Sequence, residues 1–188
     1  MVKVRVPDRD LNITDAKESS EFLSGIGVTY EHWGTRAIEP ENLEPDKIIE
    51  AYSSEIEQLK KEEGYTTADV IDINRNTPGL EAMLEKFRAE HTHDEDEVRF
   101  TIAGRGIFHI HPENGEVVSV EVEEGDLIRV PRGTKHWFDL CEDRRIRAIR
   151  LFQNISGWTP YYTNSGEDRK YQPVCFGPTY IPPGKRTK

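Results

Sequence analysis

Between residues 97 and 152 apolar and polar side chains alternate, and a period of two is typical of β-strands. The pattern predicts six strands, with the sequences EVRFTIA, GIFHIH, EVVSVEVE, DLIRV, HWFDL and RIRAIRLF. They are separated by the turn-forming sequences GRG, PENG, EGD, PRGTK and CEDR. Since no helical pattern intervenes, these short strands predict an antiparallel barrel or sandwich.

The first 90 residues have a mixed pattern. VKVRV and VTYEHW predict two strands, and a short helix after Thr14 is predicted to end near Gly25. In DKIIEAYSSEIEQLKKEEG the apolar residues share one helical face, which predicts a helix that ends at Gly64. TPGLEAMLEKFRAE predicts another helix, with Thr77 as its N-cap and Pro78 at its first position.

The remaining residues, 153–188, are rich in Pro, Gly and Tyr and show little periodicity. We therefore expect one domain with three parts and no linker between them. Residues 1–90 form a mixed α/β extension, residues 91–152 a barrel core, and residues 153–188 a loop-rich C-terminal wrap. The predicted fold class is mainly β with added helices.

Composition narrows the possible partners. The net charge of −10, from 25 basic and 35 acidic residues, repels nucleic-acid phosphates and argues against that partner. No apolar run approaches the roughly 20 residues of a membrane helix, and the N-terminus shows no secretory signal. Two cysteines are too few for a disulfide scaffold. We therefore expect a cytoplasmic protein without membrane contact. Whether it has protein partners cannot be read from the sequence.

The histidine pattern before the first barrel strand predicts a metal site. His91 and His93 are two residues apart, so both point to the same side of an extended chain. Glu97 follows at an even spacing, and His136 begins another predicted strand. Imidazole and carboxylate ligands together suit a divalent metal such as Fe, Ni, Mn, Co or Zn.

Two segments carry a family resemblance. HTHDEDEVRFTIAG, read as H-x-H-x3-E-x6-G, and GDLIRVPRGTKH, read as G-x5-P-x-G-x2-H, resemble the two cupin motifs. The resemblance implies a single cupin barrel, also called a double-stranded β-helix or jelly roll. Leu140 stands where the second motif often has Asn, which is not a metal ligand. More narrowly, HTHDEDEVRFTIAGRGIF, VPRGTKHWFD and IRLFQNISGW resemble acireductone dioxygenase of methionine salvage.

That resemblance implies the cofactor and the reaction. His91, His93, Glu97 and His136 would hold one Fe(II) or Ni(II) ion per chain, and the substrates would be O2 and 1,2-dihydroxy-3-keto-5-methylthiopentene. With Fe(II) the expected products are 2-keto-4-methylthiobutyrate and formate. With Ni(II) they are methylthiopropionate, formate and carbon monoxide.

Three further residues are predicted to line the substrate cavity. Arg99 lies two residues beyond Glu97, so strand alternation directs its side chain toward the metal. The resemblance implies that Arg99 stabilises the negative charge of the substrate. Phe138 lies two beyond His136 and should line the same pocket. The resemblance places Trp158 as an aromatic wall over the substrate chain. Phe100, on the opposite face, is predicted to be core.

Other polar residues are interpreted as structural. His109 and His111 share a face but have no correctly spaced Glu, so we expect them at the outside or rim, with His32 also structural. Residues 94–96 are predicted to form a solvated turn. Two alternatives to the dioxygenase stay open: another cupin enzyme, such as a thiol or quercetin-type dioxygenase or a sugar isomerase, and a non-catalytic metal- or ligand-binding module.

Overall fold

The computed structural model describes residues 2–34, 43–154 and 158–175. In this part of the chain strands predominate, so the mainly β class with added helices is confirmed. The strands are β1 (Lys3–Val6), β2 (Leu11–Ile13), β3 (Thr29–His32), β4 (Thr67–Ile73), β5 (His91–Thr92), β6 (Glu97–His111), β7 (Val118–Glu123), β8 (Asp126–Val130), β9 (Lys135–Leu140), β10 (Ile146–Phe152) and β11 (Tyr161–Tyr162). The α-helices are α1 (Ala16–Gly25), α2 (Pro45–Ala51), α3 (Ser53–Glu63) and α4 (Leu80–Arg88). No helix in these described ranges is long and apolar enough to cross a membrane.

The long strand β6 organises the sheet. Its first half pairs with β8 and β10, and its second half pairs with β7 and β9. The prediction of a turn at GRG was wrong, because the two predicted strands are one strand that bends there. Gly104 permits the bend with a φ of 76°, and the pairing with β10 shifts register beside it, between Arg147 and Ala148.

The N-terminal strands extend the same sheet. The main path runs β11-β5-β9-β6-β7-β1-β2, while β3 pairs with β8 and β4 with β10. Within the described ranges this path does not close on itself. Strand β4, which the sequence pattern did not reveal, covers β10 along its full length. Two apolar clusters fill the interior, and Phe100 is fully buried in one of them, as predicted.

Two of the predicted helices differ from expectation. The segment predicted as one helix is divided into α2 and α3 at Tyr52, whose buried ring packs 5.0 Å from that of Phe100. The predicted end at Gly64 is confirmed. Helix α4 begins at Leu80, so Thr77 and Pro78 are not its N-cap and first position.

The start of α4 is set by a glycine. Gly79 is the N-cap and has a φ of 70°, in the left-handed region where glycine is favoured, so the chain turns once more before the helix begins. Thr77 instead closes the preceding turn, where its hydroxyl accepts from the amide of Asn74. Helix α1 ends at Gly25 as predicted, and Asp15 caps its N-terminus by accepting from the amides of Lys17 and Glu18.

The two cysteines, too few for a disulfide scaffold, form a single disulfide in this structure. Cys141 follows β9, and Cys175 lies at the end of the described C-terminal segment. Their Cα atoms are 5.7 Å apart although 34 positions separate them in sequence. The bond ties the C-terminal wrap to the edge of the barrel; residues 155–157 and 176–188 of that predicted wrap lie outside the described part.

The bend in β6 should be sensitive to a single methyl group. A Cβ added at Gly104 would lie 2.2 Å from the backbone oxygen of Arg145, which a side-chain rotation cannot relieve. We expect Gly104→Ala to lower the free energy of unfolding by at least about 3 kcal/mol, from backbone strain and overpacking together. Gly64 has the same φ of 76° and no atom within 4 Å, so Gly64→Ala should cost only about 1 to 2 kcal/mol. Urea unfolding measures both; equal losses would contradict the proposed clash.

Candidate metal centre

Three strands bring the predicted ligands together. His91 opens β5, His136 is the second residue of β9, and the two face each other as partners in the sheet. Glu97 opens β6, which pairs with β9 further along. The loop between β5 and β6 is fixed because His93 accepts a backbone hydrogen bond from Gly133. Residues far apart in sequence therefore meet at adjoining strand ends.

The four side chains converge on one point. One ligand atom from each of His91, His93, Glu97 and His136 lies within 4.8 Å of the others. The Nε2 atoms of His93 and His136 are each 3.1 Å from the same carboxylate oxygen, Oε2 of Glu97. All four residues are buried, between 1% and 3% exposed. A set of three imidazoles and one carboxylate is thus removed from water.

The orientation of each ring is fixed from behind. Nδ1 of His91 lies 2.7 Å from the backbone oxygen of Ala89, and Nδ1 of His136 lies 2.8 Å from that of Thr134. Nδ1 of His93 contacts the oxygen of Thr159 at 2.8 Å. Carbonyl oxygens only accept, so each Nδ1 donates and each Nε2 of a neutral ring carries a lone pair.

These lone pairs make the cluster suitable for a cation. Nε2 of His91 is buried without a hydrogen-bond partner, and the other two Nε2 atoms face a carboxylate oxygen. Lone pairs and a negative oxygen repel one another unless a proton or a metal ion lies between them. Nitrogen and oxygen donors in this number match a divalent first-row metal with positions left open for other ligands.

The ionisation of the site agrees with that arrangement. Burial lowers the pKa of His91 to about 4, so its ring stays neutral. Burial would also lower the pKa of His93, but contact with Glu97 outweighs it and raises the value. Burial alone would raise the pKa of Glu97, whereas Arg99 and the two histidines hold it well below its usual range. The carboxylate therefore remains charged and ready to bind a cation.

The predicted cavity residues surround this cluster. Arg99 is 3% exposed, and its Nε lies 2.8 Å from Oε1 of Glu97, the oxygen on the far side from the histidine contacts. Its guanidinium lies 4.5 Å from the ring centre of Phe138 and 5.5 Å from that of Trp158. The Trp158 ring is also 6.2 Å from the ring of His93. The structure thus places all seven predicted site residues in one region.

Sequence reasoning missed the part that the C-terminal segment plays. Strand β11 pairs with β5, so Tyr162 lies opposite His91 and the two rings are 6.2 Å apart. Glu90, 1% exposed, accepts hydrogen bonds from the hydroxyls of Thr163 and Ser165 and also contacts His111. No periodic signal marks Thr163 and Ser165, because they lie more than 70 residues from Glu90 in an irregular segment.

The other histidines stay outside the cluster. His109 faces away from the centre, as predicted, but it is only 1% exposed and stacks on Trp137, so it is not a rim residue. His111 is half-buried beside Glu90, and His32 bonds to the buried Asp126. The acidic residues 94–96 are not merely a solvated turn, because Glu95 and Asp96 accept backbone hydrogen bonds.

Comparison with known proteins places the chain in a family. The model of the ARD/ARD' family matches residues 5–160. The chain belongs to the ARD/ARD' family. The acireductone dioxygenase of Picosynechococcus is 40% identical over 164 residues, which cover 87% of this chain and 93% of that protein. The Pseudomonas aeruginosa enzyme of the same name is 43% identical over 163 residues, covering 86% of this chain and 88% of that one.

A solved structure of an ARD family member has the same fold. Acireductone dioxygenase from Bacillus anthracis, with a cadmium ion in its active centre, matches with a TM-score of 0.78 at 37% identity. The match covers 86% of this chain and 98% of that chain. This agreement and the sheet topology confirm the predicted cupin class, and family membership identifies the chain as a metal-dependent dioxygenase.

For this ARD family member we expect metal content to depend on the four converging side chains. Glu97→Ala and His93→Ala each delete a donor and should leave purified protein with little bound metal and no turnover. His109→Gln is the matched control, because His109 is equally buried in the same sheet but faces away from the cluster. Elemental analysis of each variant, with the Cys141–Cys175 disulfide intact, tests this. A metal-free His109→Gln protein or a metal-loaded Glu97→Ala protein would disprove the ligand set.

Proposed function

We propose that this chain is an Fe(II)- or Ni(II)-dependent acireductone dioxygenase that cleaves 1,2-dihydroxy-3-keto-5-methylthiopentene with O2 in methionine salvage. The observation that carries the proposal is the buried Arg99 beside a three-histidine, one-glutamate cluster and two aromatic rings. His91, His93, Glu97 and His136 would hold the metal. When bound, that ion offers open positions at which an enediolate and O2 can meet.

Arg99 supplies the countercharge for the substrate. Burial lowers the pKa of Arg99 and Glu97 opposes that shift, but a guanidinium remains charged under physiological conditions. An acireductone is an acidic enediol beside a carbonyl, and as a dianion it needs positive charge within a dry site. Arg99 already balances Glu97, so it can donate to substrate oxygen without any cation being brought in from solvent.

Phe138 and Trp158 confine the apolar end of the substrate. Phe138 is 3% exposed and packs against Phe108, with 4.9 Å between ring centres. Trp158 packs against Phe152 at 4.6 Å. Rings on two sides of the guanidinium exclude water, which strengthens the contact of Arg99 with a bound anion. We place the reaction in the cytoplasm, and its partners are two small molecules, the acireductone and O2.

The proposed activity is tested by the gas that each metal form releases. Protein stripped of metal and reloaded with Fe(II) or Ni(II) should consume O2 in the presence of an acireductone. Only the nickel form should release carbon monoxide, whereas the iron form should give formate and the keto acid. Oxygen uptake and gas analysis measure both. Identical products would refute the dependence on the metal, and metal binding without turnover would favour the non-catalytic binding module.

The role of Arg99 is tested separately. Arg99→Met keeps most of the side-chain volume but removes a charge-assisted contact worth about 1.5 to 3 kcal/mol. We therefore expect kcat/KM for the acireductone to fall by roughly 10- to 150-fold with metal content unchanged. Arg129→Met is the control, because Arg129 lies on the neighbouring strand β8 and pairs with Glu63 instead. Equal kinetics in the two variants would remove Arg99 from the substrate site.

A further inference from the structure

The two cysteines lie beside the carboxylate of Glu121, a side chain that can also bind a metal ion. A carboxylate oxygen of Glu121, on β7, and the sulfur atoms of Cys141 and Cys175 all lie within 4.8 Å of one another. Glu121 and Cys141 are each 1% exposed, and Cys175 is half-buried. Two sulfur atoms, bonded to each other in this structure, and one carboxylate oxygen therefore lie close together, and Cys175 is the partly exposed member of the group.

This cluster changes its chemistry with the redox state. In the oxidised chain the sulfurs are bonded to each other and cannot serve as thiolate ligands. A dithiol reductant that supplies two electrons and two protons would open the bond and leave two thiols beside Glu121. A reducing cytoplasm, where we place this protein, favours that state. Thiolate and carboxylate oxygen are both established ligands of zinc.

We propose that the reduced chain binds one thiophilic divalent cation of the zinc type between Cys141, Cys175 and Glu121. Both thiols lose a proton as the cation binds, and a water molecule completes the four-coordinate set on the exposed side. Zinc–sulfur distances of about 2.3 Å put two thiolates about 3.8 Å apart in a tetrahedral site. With Cα atoms 5.7 Å apart, the cysteines reach this spacing by side-chain rotation.

The surrounding charges favour a divalent ion. Lys3 Nζ and Arg105 Nη1 lie 3.4 Å and 3.5 Å from Oε1 of Glu121, and they balance its buried charge in the oxidised chain. Two thiolates beside the Glu121 carboxylate would repel each other and the carboxylate, and this repulsion would keep the thiols protonated. A divalent cation removes that repulsion, so metal binding and thiol deprotonation support each other.

The metal would replace the disulfide as the attachment of the C-terminal segment. Cys141 directly follows β9, the strand that carries His136, and Cys175 ends the described segment that carries Trp158 and Thr159. Next to the pair, Arg5 also holds this segment by donating to the backbone oxygen of Val174. A covalent bond in the oxidised chain and a metal bridge in the reduced chain would hold the same two elements together.

Cobalt absorption tests the proposal without any measurement of turnover. A thiolate bound to Co(II) gives a strong near-ultraviolet charge-transfer band, whereas histidine and carboxylate ligands give none. We expect Co(II) to produce this band in the reduced full-length chain and not in the oxidised chain. Cys175→Ser should lose the band while still binding cobalt at the histidine centre, and Cys141→Ser should behave alike. His93→Ala should keep the band, which separates this site from the centre of the proposed function.

A matched pair of variants tests the carboxylate. Glu121→Gln should weaken cobalt binding at the cysteine site by more than the roughly 10- to 100-fold loss that removal of an outer partner causes. Glu123→Gln is the control, because Glu123 contacts Lys3 at the same 3.4 Å but is not part of the cluster. If reduced protein with two titratable thiols per chain shows no thiolate band, the proposal is wrong. A band that persists in Cys175→Ser would also overturn it.

Discussion

A carboxylate buried among three imidazole nitrogens is the constraint on which the rest of the site depends. Glu97 is 1% exposed, and an unpaired charge at such a position would be too costly for the fold to tolerate. On one side Arg99 compensates it, and on the other side two histidine Nε2 atoms face it. The backbone carbonyls behind the rings prevent those nitrogens from turning away, so a cation is the simplest group that satisfies the whole set.

The bent strand β6 determines where the candidate metal cluster lies relative to the pocket around Arg99. It begins with Glu97 and Arg99, bends at Gly104, and continues beside β9, which carries His136 and Phe138. Only a residue without a side chain fits at Gly106, since a Cβ there would lie 2.3 Å from the Phe138 ring. The Phe138 ring therefore packs against the strand at Gly106, and its centre lies 4.5 Å from the Arg99 guanidinium. One strand thus positions both Glu97 of the candidate metal centre and the proposed substrate pocket.

The sequence predicted those features of the site that follow from the spacing of residues close together in the chain. Even spacing predicted that His91, His93, Glu97 and Arg99 share one side, and a second motif supplied His136. Alternation holds within β6, where it relates Glu97 to Arg99, whereas a loop rather than a strand joins His93 to Glu97. Periodicity could not show that two predicted strands are one, since a glycine bend and a tight turn share the sequence GRG. It also could not place Glu90, because its partners Thr163 and Ser165 come from a segment without periodic pattern. The disulfide depends on the same distant segment, because the fold, and not the composition, decides whether Cys141 and Cys175 meet.

The acidic residues 94–96, which precede β6, hold the C-terminal segment through hydrogen bonds. Their charges suggest a solvated turn, yet Asp96 accepts a hydrogen bond from the indole of Trp158 through its backbone oxygen. Asp94 accepts from the hydroxyl of Tyr161, and Glu95 accepts from the amides of residues 153 and 154. The residues between His93 and Glu97 therefore hold the segment that packs against the candidate metal centre. His93 also donates to the backbone oxygen of Thr159, so a shift of the C-terminal segment would turn the His93 ring. The position of that segment and the geometry of the candidate centre are therefore coupled.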